Sequence, residues 1–469
     1  MQSGDFLNRL DLRAQNLQGA DLMGADFKGA NIRGVNLSGA NLATACLDYA
    51  DLGETQLVNA DLSQVSLRRA AMNLANLQGA NLHQADLREA NLLGAELLQA
   101  NLQHSNLQQA NLVGANLIQA NLAQANLSGT DLRSAQLAQA QLQGALYNHR
   151  TIADVDLQEL GAYLLAPNVA LQGIDLSGAN LTSAELRHAD LRRSLLIRAN
   201  LTQADLDRAN LSGANLSGAD LTGASLNGTT LTQAVYTPQT RFPETIDPNR
   251  FGAYLVAPQV VWSEARLRQL DIPDANLRQA NLNGTWLIHC QLQRADLSLA
   301  TLRRMQVQHT MLDHSDLRRA DLSRAQFQYC ELQAADLREV DFSHTQFVSV
   351  SLRGADLRGA DLTGAQWRGC DLSFADLRGA DLTRTDLVGA NLDGANLRHT
   401  QLMAVNLEDA ILTSVDLSDA VLFRVNLARA QLQHVSLKGA ELNGVYLRDA
   451  QLADTNLQEA TLHQTYLDD

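Results

Sequence analysis

Thiolates and imidazoles are the side chains that most readily bind transition metals or attack electrophiles. In this chain both recur at fixed intervals. Cys290, Cys330 and Cys370 stand 40 residues apart, and His289 and His309 stand 20 apart with Tyr329 next in the series. Catalytic and metal sites need closer and more varied company. The sequence contains no Cys-x-x-Cys, no His-Glu-x-x-His, no P-loop and no Gly-x-Ser-x-Gly. Cys46 is alone, the other histidines among the eleven are scattered, and no third ligand accompanies His289 and His309. No catalytic residue, cofactor site or metal site is expected, so the chain does not read as an enzyme. The second regular set is ionic. Asp316/Arg318, Asp336/Arg338, Asp356/Arg358 and Asp376/Arg378 repeat every 20 residues, continued by Asn396/Arg398. Opposite charges at such spacing serve pairing and recognition, not bond-making.

A 20-residue interval places side chains together only if the backbone returns to the same place every 20 residues. The apolar pattern says that it does. Every fifth residue is apolar, almost always leucine, from Leu7 to Leu142, from Leu171 to Leu231 and from Leu267 to Leu467. These 82 pentapeptides account for 410 of the 469 residues. Period five would smear around an α-helix and flip between the faces of a flat strand. If each pentapeptide is one side of a square coil, each leucine points inward and four units complete a turn. A single unit cannot bury its leucine, so coils must stack. At about 4.8 Å per coil, roughly 20 coils would make a rod on the order of 100 Å.

The consensus is Ala-(Asp/Asn)-Leu-x-x, as in Ala40-Asn41-Leu42, Ala60-Asp61-Leu62 and Ala360-Asp361-Leu362. It resembles the pentapeptide-repeat family, in a long, interrupted form similar to those of cyanobacteria. The resemblance implies an all-β fold, a right-handed quadrilateral β-helix. Calling the central leucine i, it also implies that Ala at i−2 points inward. Gly at i+2, as in Gly39, Gly79 and Gly359, suits turns with positive φ. Many corners carry Gln or Arg there, so mixed turn types are expected.

Two interruptions divide the chain into repeat blocks at 1–146, 171–235 and 267–469, with short helix-containing insertions at 147–170 and 236–266. Both insertions carry Gly-Ala-Tyr-Leu-(Leu/Val)-Ala-Pro, at Gly161–Pro167 and Gly252–Pro258. Asp156 with Glu159, and Asp247 with Pro248, read as helix starts. Leu157, Leu160 and Leu164 would form one apolar stripe, and Phe251, Tyr254 and Leu255 another. Each insertion either projects to dock a partner or lies on the coils and covers an edge. The middle block is expected to lean on its neighbours.

Cys290, Cys330 and Cys370 fall at i−2, two coils apart and about 10 Å from one another, beyond disulfide reach. Four free thiols point to a reducing, cytoplasmic setting. There is no apolar stretch for a membrane span and no secretory h-region at the start. With net charge −15, direct binding to nucleic acid is disfavoured. The outer columns must therefore carry function. Asp316, Arg318, Asp336, Arg338, Asp356, Arg358, Asp376, Arg378 and Arg398 form a candidate partner surface, with Asp321, Asp341, Asp361 and Asp381 on the adjacent face. Gln306, Gln326, Gln346 and Gln366 precede inward Val307, Phe327, Phe347 and Trp367 and would stack. The functional reading is a non-enzymatic scaffold or spacer for a protein partner. The alternative is DNA mimicry, since some members of the family protect DNA gyrase with a duplex-like acidic rod. Duplex DNA carries roughly 60 charges per 100 Å, whereas residues 268–469 hold 27 acids against 19 bases. The C-terminal coils carry Phe423, Tyr446 and Tyr466 outward, which suggests a homodimer through that end.

Overall fold

The computed structural model describes residues 12–13 and 15–465. Its elementary unit satisfies every backbone donor, as residues 61–65 show. Asp61 N donates to Ala40 O in the coil below (2.9 Å), while Leu62 N and Gln64 N donate to Asn81 O and His83 O above (2.7 and 2.8 Å). Val65 N closes the corner onto Leu62 O (3.2 Å), and Ser63 N donates to Asp61 Oδ1 (3.0 Å). That last bond is an Asx turn, and it explains why Asp or Asn dominates position i−1. Coils are joined by parallel bridges in a 20-residue register, as in Asn41↔Asp61 and Asp61↔Asn81. Leucine at i and alanine at i−2 fill the bore, with Leu62 and Ala80 fully buried. The fold is a right-handed quadrilateral β-helix.

Corners are mixed, but not for the reason expected from residue i+2. Across the repeat blocks φ at i+2 is positive whether or not the residue is glycine, from +47° at Gln464 to +73° at Gly144. In one class the i+3 amide closes onto the i carbonyl. In the other, residues i−1 to i+1 all pair as a strand and the corner stays open, as at Trp286–Ile288, Gln326–Gln328 and Val421–Phe423. Two residues sort the classes. In the third stack, every corner that follows such a three-residue strand lacks Asp or Asn at i−1 and runs into an inner residue larger than alanine: Leu270, Cys290, Thr310, Cys330 and Val350 on one face, then Val405, Val425, Val435, Val445, Thr455 and Thr465. A bulky inner residue pushes the sides apart, and an Asx turn resists it. Val65 and Val340, with Asp61 and Asp336 in place, still close at 3.2 and 3.3 Å. Where i−1 is Ser225 or Thr301, a side chain one coil below takes over: Asp207 accepts from Asn227 N, and Asn283 from Arg303 N. Ser315, Cys370 and Val415 close without an Asx residue, the last two only at 3.4 Å.

The insertions are not the helices that their sequences suggest. The first contains a single turn, with Gln158 N donating to Asp156 Oδ1 (2.8 Å) and Gly161 N to Gln158 O (2.9 Å). The second contains one 3-10 turn, Pro248–Phe251, with Asp247 as N-cap and Gly252 as a left-handed C-cap. The shared Gly-Ala-Tyr-Leu run is extended in both, at Tyr163–Leu165 and Tyr254–Leu255. Pairing outcompetes helix here: Tyr163–Leu165 lies in parallel register on Leu146–Asn148, and left-handed glycines stop each turn just before it. The expected stripes dissolve accordingly. Leu157 is buried, Leu160 packs against the core, and Phe251 is exposed.

The chain forms two compact units, divided between Tyr254 and Leu255. Within the first unit, no backbone hydrogen bond among the described residues joins 146–165 to 166–187. Coils to residue 165 form one stack and those from residue 168 a second. The second leans on the flank of the first, through Asn126 Nδ2 to Asn180 O (2.6 Å) and Arg150 to Glu185 (3.1 Å). The first insertion thus covers the last coil of its stack and hands the chain on. The second unit is a third stack. Its core holds Phe327, Phe342, Phe347 and Trp367, with Trp367 stacked on Phe347 at 4.4 Å and Phe342 edge-on to both. Trp367 Nε1 donates to Thr345 Oγ1 (2.9 Å), so the indole is buried with its polar atom bonded. A cavity of about 20 Å³ alongside Phe327 has room for one water at most.

Candidate partner-binding face

The Asp-Leu-Arg sides of the third stack build one ordered surface. Leucine anchors each side inward, and aspartate Oδ1 accepts the arginine amide, as from Arg318 to Asp316 at 3.0 Å. The arginine then folds back on its own aspartate. Arg338 Nε and Nη2 meet Asp336 Oδ1 and Oδ2 at 2.8 and 2.6 Å, and Arg318, Arg358 and Arg378 repeat this fork. Each Nε also faces the next coil's carboxylate: Arg318 to Asp336 at 3.5 Å, Arg338 to Asp356 at 3.6 Å and Arg358 to Asp376 at 3.7 Å. The row is therefore an alternating lattice, with its aspartates in parallel register. It ends at Asn396, where Arg398 turns to Asp416 (3.8 Å) and Asp419 (3.5 Å).

Hydrogen bonds from Arg318 hold the Asp316 carboxyl below the usual carboxylate range. At Asp356 burial pushes the pKa up, and the bonds from Arg358 override it to leave the group lowered. Asp336 raises the pKa of Arg338. The arginine side chains remain about two-fifths exposed, Arg338 at 38% and Arg318 at 46%. Their outer edges, with unused N–H donors, face solvent.

The adjacent acidic column is less compensated. Asp321 pairs with Arg303, but Asp341, Asp361 and Asp381 are met by the amides of Ser343, Thr363 and Thr383. Among the expected glutamines, the amide bond along the stack lies one column over, from Gln308 to Gln328 (3.4 Å). His289, His309 and Tyr329 stack ring on ring at 4.7 and 5.0 Å. Cys290, Cys330 and Cys370 are buried, and burial raises the thiol pKa of all three, to about 11 at Cys330 and about 12 at Cys370. Such thiols are poor nucleophiles. Among the described residues no group of three or more metal-ligating side chains converges, and no helix is long and apolar enough to cross a membrane. Of the C-terminal candidates, Phe423 lies under Arg424 and Tyr446 is half exposed, while Tyr466 falls outside the described residues.

Below Arg318 the arginine column continues with Ser298 and then Arg278, and the missing arginine at 298 opens a groove beside Arg319 and Glu339. A break in a periodic charge column is the signal that would have found it.

Residues 7–42, 45–84, 80–117, 110–146, 168–196, 194–233, 263–298, 400–439 and 430–469 match the profile of pentapeptide repeats, and residues 320–397 that of a pentapeptide repeat region. No curated protein matches the chain. Similar solved structures include HetL, a pentapeptide repeat protein involved in heterocyst differentiation regulation from the cyanobacterium Nostoc sp. strain PCC 7120. It is 34% identical over 49% of this chain and 86% of its own, with TM-score 0.23. QnrB1, a plasmid-mediated fluoroquinolone resistance protein, is 18% identical over 44% of this chain and 94% of its own, with TM-score 0.29. A pentapeptide repeat protein of the Arabidopsis thaliana thylakoid lumen is 29% identical over 25% of this chain and 71% of its own, with TM-score 0.14. At such TM-scores these superpositions carry no weight, and the assignment rests on the repeats themselves. They run through most of the chain, and it belongs to the pentapeptide repeat family.

Proposed function

We propose that the protein is a non-enzymatic, cytoplasmic scaffold whose third stack presents the Asp316–Arg378 lattice to a protein partner. The observation that carries this reading is the alternation itself. Both signs reach the surface, the arginines more than the half-buried aspartates, fixed in register by the backbone and repeated on successive coils. Complementary potentials of this kind set specificity and encounter rate more than bulk affinity. The same alternation argues against DNA mimicry, because a guanidinium stands between successive carboxylates where a duplex would present unbroken negative charge. The unpaired thiols fit a reducing compartment. Pairing of two copies through the coils that carry Phe423, Tyr446 and Tyr466 fits the half-exposed ring of Tyr446.

The test is affinity capture with the full chain from its source cell, beside an Arg338→Gln/Arg358→Gln/Arg378→Gln variant. The expected result is a partner lost from the variant while its circular dichroism is unchanged. A partner kept by the variant would leave the lattice a purely structural role. Inhibition of gyrase supercoiling by the purified protein would instead support the mimic. Light scattering on the same preparation reads the pairing of copies, and a monomeric mass at tens of micromolar would remove it.

A further inference from the structure

The arginine column of the third stack has one rung missing, and the gap is a shaped groove. At i+1 the column reads Arg278, Ser298, Arg318, Arg338. With serine at 298, a groove of about 280 Å³ opens, lined by Arg278, Ser298, Leu299, Arg318, Arg319, Arg338 and Glu339. Four of the seven lining side chains are guanidinium groups, on a chain whose net charge is −15.

These arginines are not equally committed. Arg318 and Arg338 are forked onto Asp316 and Asp336, using Nε and one Nη2 hydrogen each. Arg319 meets Glu339 at 3.5 Å, a loose pair with both side chains about two-thirds exposed. Arg278 differs again. The residue two before it is Asn276, where its neighbours have aspartate, and its guanidinium rests on the buried Ser298 hydroxyl at 3.3 Å, with no ion pair to a carboxylate among the described residues. The hydroxyl in turn donates to Asp296 Oδ1 (2.6 Å) and fixes the groove floor. One arginine thus lacks an anion, a second holds one weakly, and two more offer unused outward donors.

We propose that this groove receives a carboxylate side chain from an acidic segment of the protein partner. The inference rests on the scaffold reading and places its anchor. A guanidinium fork matches a carboxylate in bidentate geometry. Asp296, Asp316 and Asp336 stand behind the four arginines, so once Glu339 is displaced the groove keeps a single net positive charge. That suits a singly charged carboxylate better than a phosphate dianion. Glu339 already occupies part of the rim, and an incoming carboxylate displaces it from Arg319. Leu299 gives the groove an apolar wall for the methylenes of a glutamate.

The experiment uses the full chain and a fluorescein-labelled hexaglutamate peptide, with hexalysine as control, in low salt. Saturable binding of hexaglutamate and none of hexalysine is expected. Arg278→Gln with Arg319→Gln should weaken it by about tenfold, from two exposed pairs of at most about fivefold each. Glu339→Gln should tighten it by about two- to fivefold, an effect that damage to the fold would not produce. Absence of saturable binding, binding unchanged in the Arg278→Gln/Arg319→Gln variant, or equal binding of hexalysine overturns the proposal. A captured partner lost from the Arg338→Gln/Arg358→Gln/Arg378→Gln variant but kept by Arg278→Gln/Arg319→Gln overturns the groove alone and leaves the face standing.

Discussion

The first and third stacks fill the same backbone slot, position i−1, with different chemistry. In the first, the run from Asn101 to Asn126 is asparagine on six successive sides. Asn101 Nδ2 donates to Asn81 Oδ1, and Asn111 to Asn91, each at 3.0 Å, while the same oxygens accept the amides of Gln103's counterparts one coil down, as at His83. An amide is donor and acceptor at once, so the column completes itself. In the third stack the slot holds Asp316, Asp336, Asp356 and Asp376, which keep the Asx turn but supply no donor. Carboxylates stacked at about 5 Å repel, and an arginine between each pair neutralises them. The stacked asparagines spend donors and acceptors on one another, whereas the Asp–Arg column leaves donors and charge at the surface. The same fork occurs singly in the other stacks, at Asp86/Arg88, Asp131/Arg133 and Asp190/Arg192, so what sets the third stack apart is its repetition on successive coils.

The largest expected effect breaks both stacks alike. Leu82→Asp in the first and Leu357→Asp in the third each place a charge at a fully buried site with no partner. Loss of several coils is expected in both, with destabilisation above about 4 kcal/mol. Leu357→Met, which nearly conserves volume, should cost less than about 1.5 kcal/mol. Thermal unfolding followed by circular dichroism reads the difference. An aspartate variant that melts within a few degrees of the parent would show that position i is not inward.

A smaller effect converts a corner of the first stack into the third-stack kind. The corner at Leu62–Val65 has a bulky inner valine and is held at 3.2 Å by the Asx turn of Asp61. Asp61→Gln removes the turn and should open it, at a cost of about 1 kcal/mol for one hydrogen bond. A crystal structure of the variant would show the Val65 N to Leu62 O separation beyond 3.5 Å. Adding Val65→Ala should close it again. A corner that stays shut in Asp61→Gln would mean that the inner residue and the Asx turn do not sort corners.

What the sequence disclosed followed the strength of its periodicity. Leu7 to Leu467 revealed the coil, its inward residues and the columns, because each repeat restates the same constraint. The Asp–Arg lattice was legible for the same reason. The insertions were not. Asp156 and Asp247 are valid local caps, yet Tyr163–Leu165 found a strand partner, and a long-range ladder outweighs a single turn. The break between residues 165 and 168 left no mark beyond the insertion itself, since the blocks on either side obey one rule. Corner type is not legible at i+2, where every described repeat residue adopts positive φ; i−1 and the next inner residue decide it. The Ser298 groove needed the absence of a residue to be read as information.

The smallest expected effect separates the two columns by pH. Asp316 and Asp356 have folded-state pKa values below the ordinary carboxylate range. Their contribution is therefore fully present above the unfolded value of about 3.9, and it is lost as pH falls through the lowered folded values. The amides of Asn81, Asn101 and Asn121 have nothing to titrate. Asp316→Asn with Asp356→Asn should leave stability at pH 7 within about 1 kcal/mol, because surface pairs contribute little and asparagine keeps the Asx turn. Below pH 4 the variant should lose less stability than the parent, since two of the groups that take up protons on unfolding are gone. Denaturant midpoints at pH 7 and pH 3 measure both arms. Parallel shifts in the two proteins would mean that these aspartates gain nothing from their arginines on folding, leaving the lattice as a surface feature without a structural share.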